Sequence, residues 1–374
     1  MAKKWGLYMK KDVYNLSKPQ ESIWLTEQYF KNTNINRLVT IADFSKKIDN
    51  LNFDFLKQAI NNVIKYNDNF QIRLFWENGN IKQYFCDYEE IEPEIVEISS
   101  LDNFLDEDSR RLGVFSLFES PLYEIKLFKY KGTNTGGILA NFHHIICDGF
   151  AATLFIRQVF EGYTSLVNSN TLPNINPNNY SYIQYLESEQ EYLQSNKFIK
   201  DKAYWDAVFE TVPEVATLYS TKSSNNTFSP DAERVTFDIE RSEMSKVASF
   251  CEGLKISPYN FFMAVFGIYL SKASRLDDFV IGTPIFNRSN FREKNTLGMY
   301  VSTVPFRLTM DNSLSFAEFS SKISKDTMSM LRHQKYSYGY IIEELRKKTS
   351  SVPNLYNILF SYQVASATDE NGRL

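Results

Sequence analysis

The stretch Asn141-Phe142-His143-His144-Ile145-Ile146-Cys147-Asp148-Gly149 carries two of the chain's three histidines, side by side. Residues 137–146 are apolar, follow glycines and are closed by Asp-Gly, which predicts a strand running into a turn. Neighbouring side chains of a strand face opposite ways. Phe142, His144 and Ile146 then share one face and Asn141, His143 and Ile145 the other, so the two imidazoles serve different ends. After Gly149 the period changes. Ala151, Leu154, Phe155, Val159 and Leu166 form one stripe of a helix predicted over residues 150–167. A near-neutral imidazole at a strand end suits base-assisted acyl transfer, because it takes a proton from an attacking amine or hydroxyl, or holds that nucleophile by a hydrogen bond. Gly149 has no side chain to block a channel over His144. Two readings stay open for Asp148: a charge partner that fixes the loop, or the N-cap of the following helix. Two adjacent histidines also fit one core and one surface residue, but the full spacing at a strand-to-helix junction favours a functional role.

The composition bounds the rest. A chain of 374 residues exceeds what one core usually fills and predicts two lobes, and the 43% hydrophobic content allows sizeable cores. A net charge of −4 gives no basic footprint for nucleic acid. Cys86, Cys147 and Cys251 are odd in number and far apart, which argues against a disulfide framework and for a reducing compartment. Cys147 reads as a small buried residue in a tight turn rather than a nucleophile. No Cys/His spacing resembles a metal site, no apolar run follows the N-terminal lysines, and no stretch is apolar enough to span a membrane.

Along the chain, residues 17–30 read as a helix with Ser17 as N-cap and Glu21 in its first turn. Residues 39–44 read as a strand and 54–65 as a helix. Residues 70–76 and 81–85 read as a hairpin about Asn78-Gly79. Residues 121–129 form a strand expected to pair with the histidine strand. The Asn- and Pro-rich residues 168–179 mark the boundary between lobes at 1–175 and 176–374. A long helix follows over 180–209, interrupted near Ser195, with Trp205 read as core. Residues 220–230 read as a flexible loop, 235–239 as a strand and 240–253 as a helix. Ser257-Pro258 starts another helix, whose Phe261, Phe262, Val265, Phe266, Ile268 and Tyr269 predict burial. A buried strand from Phe279 leaves through Gly282-Thr283-Pro284 to Asn287-Arg288. Ser315 and Glu318 form a capping box.

Several of these pieces resemble, in order, the motifs of the condensation domains of non-ribosomal peptide synthetases. They are Leu16 to Leu25, the HHxxxDG stretch His143 to Gly149, Lys202-Ala203-Tyr204-Trp205, Gly282-Thr283-Pro284 with Asn287-Arg288, Leu297 to Arg307, and Leu331 to Tyr336. The finer similarity of residues 188–205 and 331–346 is to the lipoinitiating starter condensation domains of surfactin-type synthetases. Asp-rich cyclisation domains and plant-type acyltransferases of the same superfamily do not fit, for the histidines are present and an Asp-Phe-Gly-Trp-Gly motif is not.

The resemblance implies an α/β fold, an α+β sandwich of two chloramphenicol-acetyltransferase-like lobes in a V-shaped pseudo-dimer with a tunnel between them. It implies that His144 faces the reaction centre, that His143 is structural, and that Asp148 forms an internal salt bridge. The family's arginine for that bridge falls at Gln71, so Arg73, two residues on and on the same strand face, or another arginine, is expected to neutralise Asp148. An unpaired buried carboxylate would be strongly destabilising. Ser302, Tyr300 and His333 are implied to line the tunnel, with an architectural role as the other reading of His333. The Gly149 backbone and the helix start are expected to favour a developing oxyanion.

The implied function is amide-bond formation between a fatty acyl donor and an aminoacyl group on the 4'-phosphopantetheine arm of a downstream peptidyl carrier. The donor is acyl-CoA or an acyl carrier. No cofactor is expected to be bound by the domain itself. Adenylation and carrier domains are the expected partners, the setting is cytoplasmic, and the domain acts as a monomer without nucleic acid or membrane. A first motif so near Met1 fits a starter domain if Met1 is the native start. The family's domains continue past Tyr362-Gln363, so the second lobe is expected to stop short at Leu374. An elongation domain, a free-standing acyl-CoA-dependent acyltransferase and a non-catalytic recruitment domain are the alternatives.

Overall fold

Helix caps and tight turns set out the order of the elements. The computed structural model describes residues 12–31, 33–102, 114–218, 232–349 and 354–363. Strand β1 (Val13–Asn15) leads to helix α1 (Lys18–Tyr29), where Ser17 and Gln20 form a capping box and Pro19 enters the first turn. Strand β2 (Arg37–Asp43) and helix α2 (Phe53–Tyr66) follow, then the hairpin of β3 (Ile72–Glu77) and β4 (Asn80–Phe85). Its two-residue loop places Asn78 and Gly79 at φ 50° and 82°, the left-handed conformation that an Asn-Gly hairpin loop demands. Strands β5 (Glu94–Ile98), β6 (Tyr123–Tyr130) and β7 (Gly136–His143) complete a four-stranded sheet in the order β2-β7-β6-β5. Strand β7 pairs antiparallel with both β2 and β6, so it is central and buried throughout. Helix α3 (Gly149–Ser169) follows.

The chain interrupts its long polar helix where expected. Helix α4 (Tyr182–Leu193) gives way to α5 (Asn196–Val208), with Ser195 as the N-cap that accepts from the Phe198 amide. Helices α6 (Arg241–Leu254) and α7 (Pro258–Ser274), strand β8 (Asp278–Ile285), the short helix α8 (Phe291–Lys294) and strand β9 (Ser302–Thr309) come next. Helices α9 (Phe316–Arg332) and α10 (Tyr338–Lys348) follow, and α9 opens with the Ser315/Glu318 capping box.

By its contacts the chain forms two units. The first takes Met1–Glu191 and returns for Arg288–Tyr300; the second takes Tyr192–Asn287 and Val301–Ala365. This differs from the expected division at 175/176, which read the Asn- and Pro-rich stretch as the boundary. Tyr182 accounts for the shift: its hydroxyl donates to the Met299 carbonyl and its ring lies where a Cβ on Gly298 would stand. The first core gathers α2, α3 and one face of the sheet around Phe70, Phe142 and Phe155. The second gathers Met263, Ala264, Leu270, Phe279, Ile281, Leu308 and Ile323.

Three expectations about elements need correction. Strand β7 stops at His143, and residues 144–146 turn. Residues 235–239 have strand-like alternation but lie in no strand; Val235 and Phe237 are 75% and 84% exposed. A strand needs a ladder partner for its backbone groups, and none of the described residues supplies one. Helix α7 buries Met263, Ala264, Gly267 and Leu270 rather than its bulkiest residues, and leaves Val265 and Tyr269 exposed. Gly267 sits so close to Leu308 of β9 that an added Cβ would meet Leu308 Cδ1 at 3.1 Å, so small residues occupy that face. The loop read at 220–230 lies outside the described residues.

Candidate active site

The site is the turn between β7 and α3. His143, the last residue of β7, is 3% exposed, and both of its ring nitrogens are engaged. Its Nδ1 accepts from the Ile145 amide at 3.2 Å, which leaves the ring proton on Nε2, 3.2 Å from Glu27 Oε1 on α1. Glu27 is 7% exposed. Burial alone would raise its carboxyl, but hydrogen bonds from His143 and Asn36 outweigh this and hold it below the usual carboxylate range. His143 is therefore a bracket for the turn, the structural part expected of it.

His144 lies in the turn itself, half-buried. Its amide donates to the Asn36 carbonyl at 2.8 Å, while its Nδ1 is buried without a hydrogen-bond partner. Burial pushes its pKa below the ordinary value of 6.5, opposed by the backbone at His144 and Cys147 and by the nearby Asp148 charge. The ring is thus neutral at pH 7 and carries a lone pair, the form a base requires. The two imidazoles differ in their contacts, through the end of the strand rather than through strand alternation.

Cys147 is buried and burial drives its thiol well above the ordinary range, so it is no nucleophile at neutral pH. Gly149 begins α3 and is exposed, and a Cβ added there would meet nothing within 4 Å. The turn is open on that side.

Asp148 fills both roles left open for it. Its Oδ1 caps α3 by accepting from the Ala151 amide at 2.8 Å. Its charge partner is Arg288, which donates from Nη1 to Oδ2 at 2.7 Å and from Nη2 to Oδ1 at 3.1 Å, both side chains fully buried. The guanidinium lies over the rings of Tyr300 (4.1 Å) and Phe150 (4.8 Å). The Tyr300 amide adds a fourth donor to Asp148 at 3.0 Å. The Gly298 carbonyl accepts from the Asp148 amide and from Arg288 Nη2.

The choice of Arg73 as the partner is therefore corrected. Its Nη1 donates to the carbonyls of Phe70 and Ile72, close to its own backbone. Strand spacing placed Arg73 near the position of Gln71, but the loop leaving β8 delivers a different arginine, packed against two rings. The signal was in the sequence, since Arg288 lies in the quoted Asn287-Arg288 segment, but nothing local tied it to Asp148.

Of the residues expected to line a tunnel, Tyr300 is 1% exposed, and its ring packs on Arg288, Tyr182 and Tyr185. It is a core residue of the first unit, because the Arg288 stack needs its face. Ser302 opens β9 in the second unit and is half-buried. His333 caps the C-terminus of α9 in the second unit. Its Nδ1 lies 2.6 Å from Asp201, its ring stacks on Tyr204 at 4.1 Å, and its carbonyl accepts from Trp205 Nε1. These contacts match the architectural reading, and Trp205 is buried in the second core. Among the described residues no cluster of His, Cys, Asp and Glu could hold a metal, and no helix is long and apolar enough to cross a membrane.

Residues 10–372 match the Condensation domain family. Surfactin synthase subunit 1 of Bacillus subtilis (strain 168) is 35% identical over 357 residues, which is 94% of this chain and 10% of that protein. A plipastatin synthase polypeptide of the same organism is 31% identical over 359 residues, 95% of this chain and 14% of that protein. The chain thus spans a small part of the curated relatives it matches. The first condensation domain of the calcium-dependent antibiotic synthetase, in complex with a substrate analogue, shares the fold at a TM-score of 0.78 and 18% identity, over 95% of this chain and 81% of that one. A mutant of the starter condensation domain of rhizomide synthetase, in complex with C8-CoA, gives 0.75 and 19%, over 96% and 80%. The match runs through both units and the curated relatives are peptide synthetases, so the chain belongs to the condensation-domain family, the acyltransferase domains that form amide bonds in non-ribosomal peptide synthesis.

Proposed function

We propose that the chain is a starter condensation domain, joining a fatty acyl group from acyl-CoA or an acyl carrier to an aminoacyl group on the phosphopantetheine arm of a downstream peptidyl carrier. The observation that carries the chemistry is His144: a half-buried, neutral imidazole in a turn held by a buried ion pair, with the exposed Gly149 beside it. The acceptor amine attacks the thioester carbonyl, the C–N bond forms, and the C–S bond breaks to release the donor thiol. His144 holds the amine and takes its proton; the thiolate takes a proton as it leaves. The start of α3 at Gly149 supplies amide dipoles to the oxyanion. Holding both thioesters in place supplies much of the rate.

The starter reading is supported by the likeness to surfactin synthase subunit 1 and to a starter domain solved with C8-CoA. The donor is then an acyl thioester, the partners are adenylation and carrier domains, and the cysteines Cys86, Cys147 and Cys251, which form no disulfide, fit a cytoplasmic setting. The test incubates the full synthetase module, its carrier charged with an amino acid, with acyl-CoA, and reads the carrier's mass. Addition of the acyl mass, lost in His144→Ala, is expected. Elongation from an upstream carrier only, with no use of acyl-CoA or a free acyl carrier, would overturn the starter assignment.

A further inference from the structure

Helix α1 buries the wrong kind of residue for a helix that is only a core element. Its buried residues are Pro19, Gln20 and Glu27, while Leu25 and Tyr29 are exposed. Gln20 and Glu27 are two turns apart and so share a face. Both reach the histidine turn. Gln20 Nε2 donates to the Ile145 carbonyl at 3.0 Å, and Gln83 braces Gln20 by donating to its Oε1 at 2.8 Å. Glu27 Oε1 accepts from Asn36 Nδ2 at 2.8 Å and from His143 Nε2 at 3.2 Å. Each of these two partners holds the next residues of the turn: the Asn36 carbonyl takes the His144 amide, and His143 Nδ1 takes the Ile145 amide.

We propose that Glu27 is a positioning residue for His144, acting through His143 and Asn36, and that α1 is the splint on which the turn is set. A buried carboxylate is costly unless it is hydrogen-bonded, and this one spends its Oε1 on two groups that each hold a residue of the turn. By taking the Nε2 proton of His143, Glu27 fixes the tautomer whose Nδ1 lone pair can receive the Ile145 amide. Without it the ring can present N–H to N–H, the Ile145 bond is lost, and Asn36 keeps only its 3.3 Å bond to the Ile23 carbonyl, which loosens its hold on the His144 amide. The inference rests on the amide-forming reading only for its consequence in catalysis.

The experiment compares Glu27→Ala with Glu27→Gln, which keeps the single oxygen that accepts both bonds. Histidine 15N spectra report the His143 tautomer, and hydrogen exchange reports the His144 and Ile145 amides, with the Leu127 amide of β6 as the control for global opening. Steady-state rates use octanoyl-CoA and a leucyl N-acetylcysteamine thioester. In the unaltered protein His143 is expected as the Nε2–H tautomer. Glu27→Ala should mix the tautomers, speed exchange at His144 and Ile145 about tenfold or more without moving Leu127, and lower kcat about 10–100-fold at nearly constant KM. Glu27→Gln should restore all of these. An unchanged tautomer and unchanged exchange in Glu27→Ala would overturn the proposal, as would a Gln variant as impaired as the Ala one. Turnover retained in His144→Ala would sink the catalytic reading alone, because the tautomer and exchange results decide the role of Glu27 independently.

Discussion

The histidine turn of the first unit and the His333 corner of the second both set an imidazole against a carboxylate, yet they do different work. His333 gives Nδ1 to Asp201 and its face to Tyr204, and Asp201 is also held by Tyr192 and Lys197. That network ties α5 to the end of α9. In the turn, His143 is consumed in the same way by Glu27 and Ile145, and the effect is to release its neighbour: His144 keeps a buried Nδ1 without a partner. A ring whose nitrogens are all engaged cannot move a proton at low cost. The difference teaches that paired histidines divide labour, and that the informative one is the ring with the fewest bonds.

The comparison is broken most severely at His144. His144→Ala should lower amide formation about 100- to 10,000-fold, the usual range for losing a general base, with the thermal midpoint little changed. His333→Ala, assayed by the same product chromatography, should keep kcat within about twofold once corrected for folded fraction. Equal losses in the two variants would erase the distinction.

The next effect is on stability. Arg288→Ala leaves Asp148 buried without its guanidinium and should cost about 3–5 kcal/mol in urea unfolding. Arg73→Ala should cost under about 1 kcal/mol, since its hydrogen bonds are to nearby backbone carbonyls of a half-exposed strand. A reversed order would return the ion pair to Arg73.

The pH dependence sharpens the comparison further. His144 is depressed below 6.5 by burial, so the unfolded chain binds that proton first. Its contribution to stability is complete above about pH 6.5 and is lost as pH falls from there toward the lower folded value. The acid limb of kcat/KM should likewise lie below 6.5, measured with the free thioesters. A limb above 6.5 would mean that the titrating group is another one.

The smallest effect is expected at the corner of the second unit. His333→Gln keeps a donor for Asp201 but loses the stack on Tyr204, and should cost about 1 kcal/mol in the same unfolding assay.

By itself, the sequence determined most of what depends on a few neighbours along the chain. The Ser17 N-cap, the Ser315 capping box, the Asn78-Gly79 hairpin and the break at Ser195 all rest on residues within a few positions of one another, and their physics is short-ranged. Both roles of Asp148 were visible, though only as alternatives, since capping is local and burial of a carboxylate demands a cation. Which cation could not be read, because Arg288 lies 140 residues away and several arginines satisfy charge alone. The ring stack of Phe150 and Tyr300 and the approach of Gly298 make the selection, and these exist only once the chain has returned to the first unit. The same holds for Glu27, which looked like one more polar residue on an ordinary helix until folding set it beneath His143. It holds in reverse for residues 235–239, whose alternation promises a strand that no described neighbour completes. Periodicity and caps are written in covalent spacing; the choice of a buried partner is made by the geometry of close packing, which no local pattern encodes.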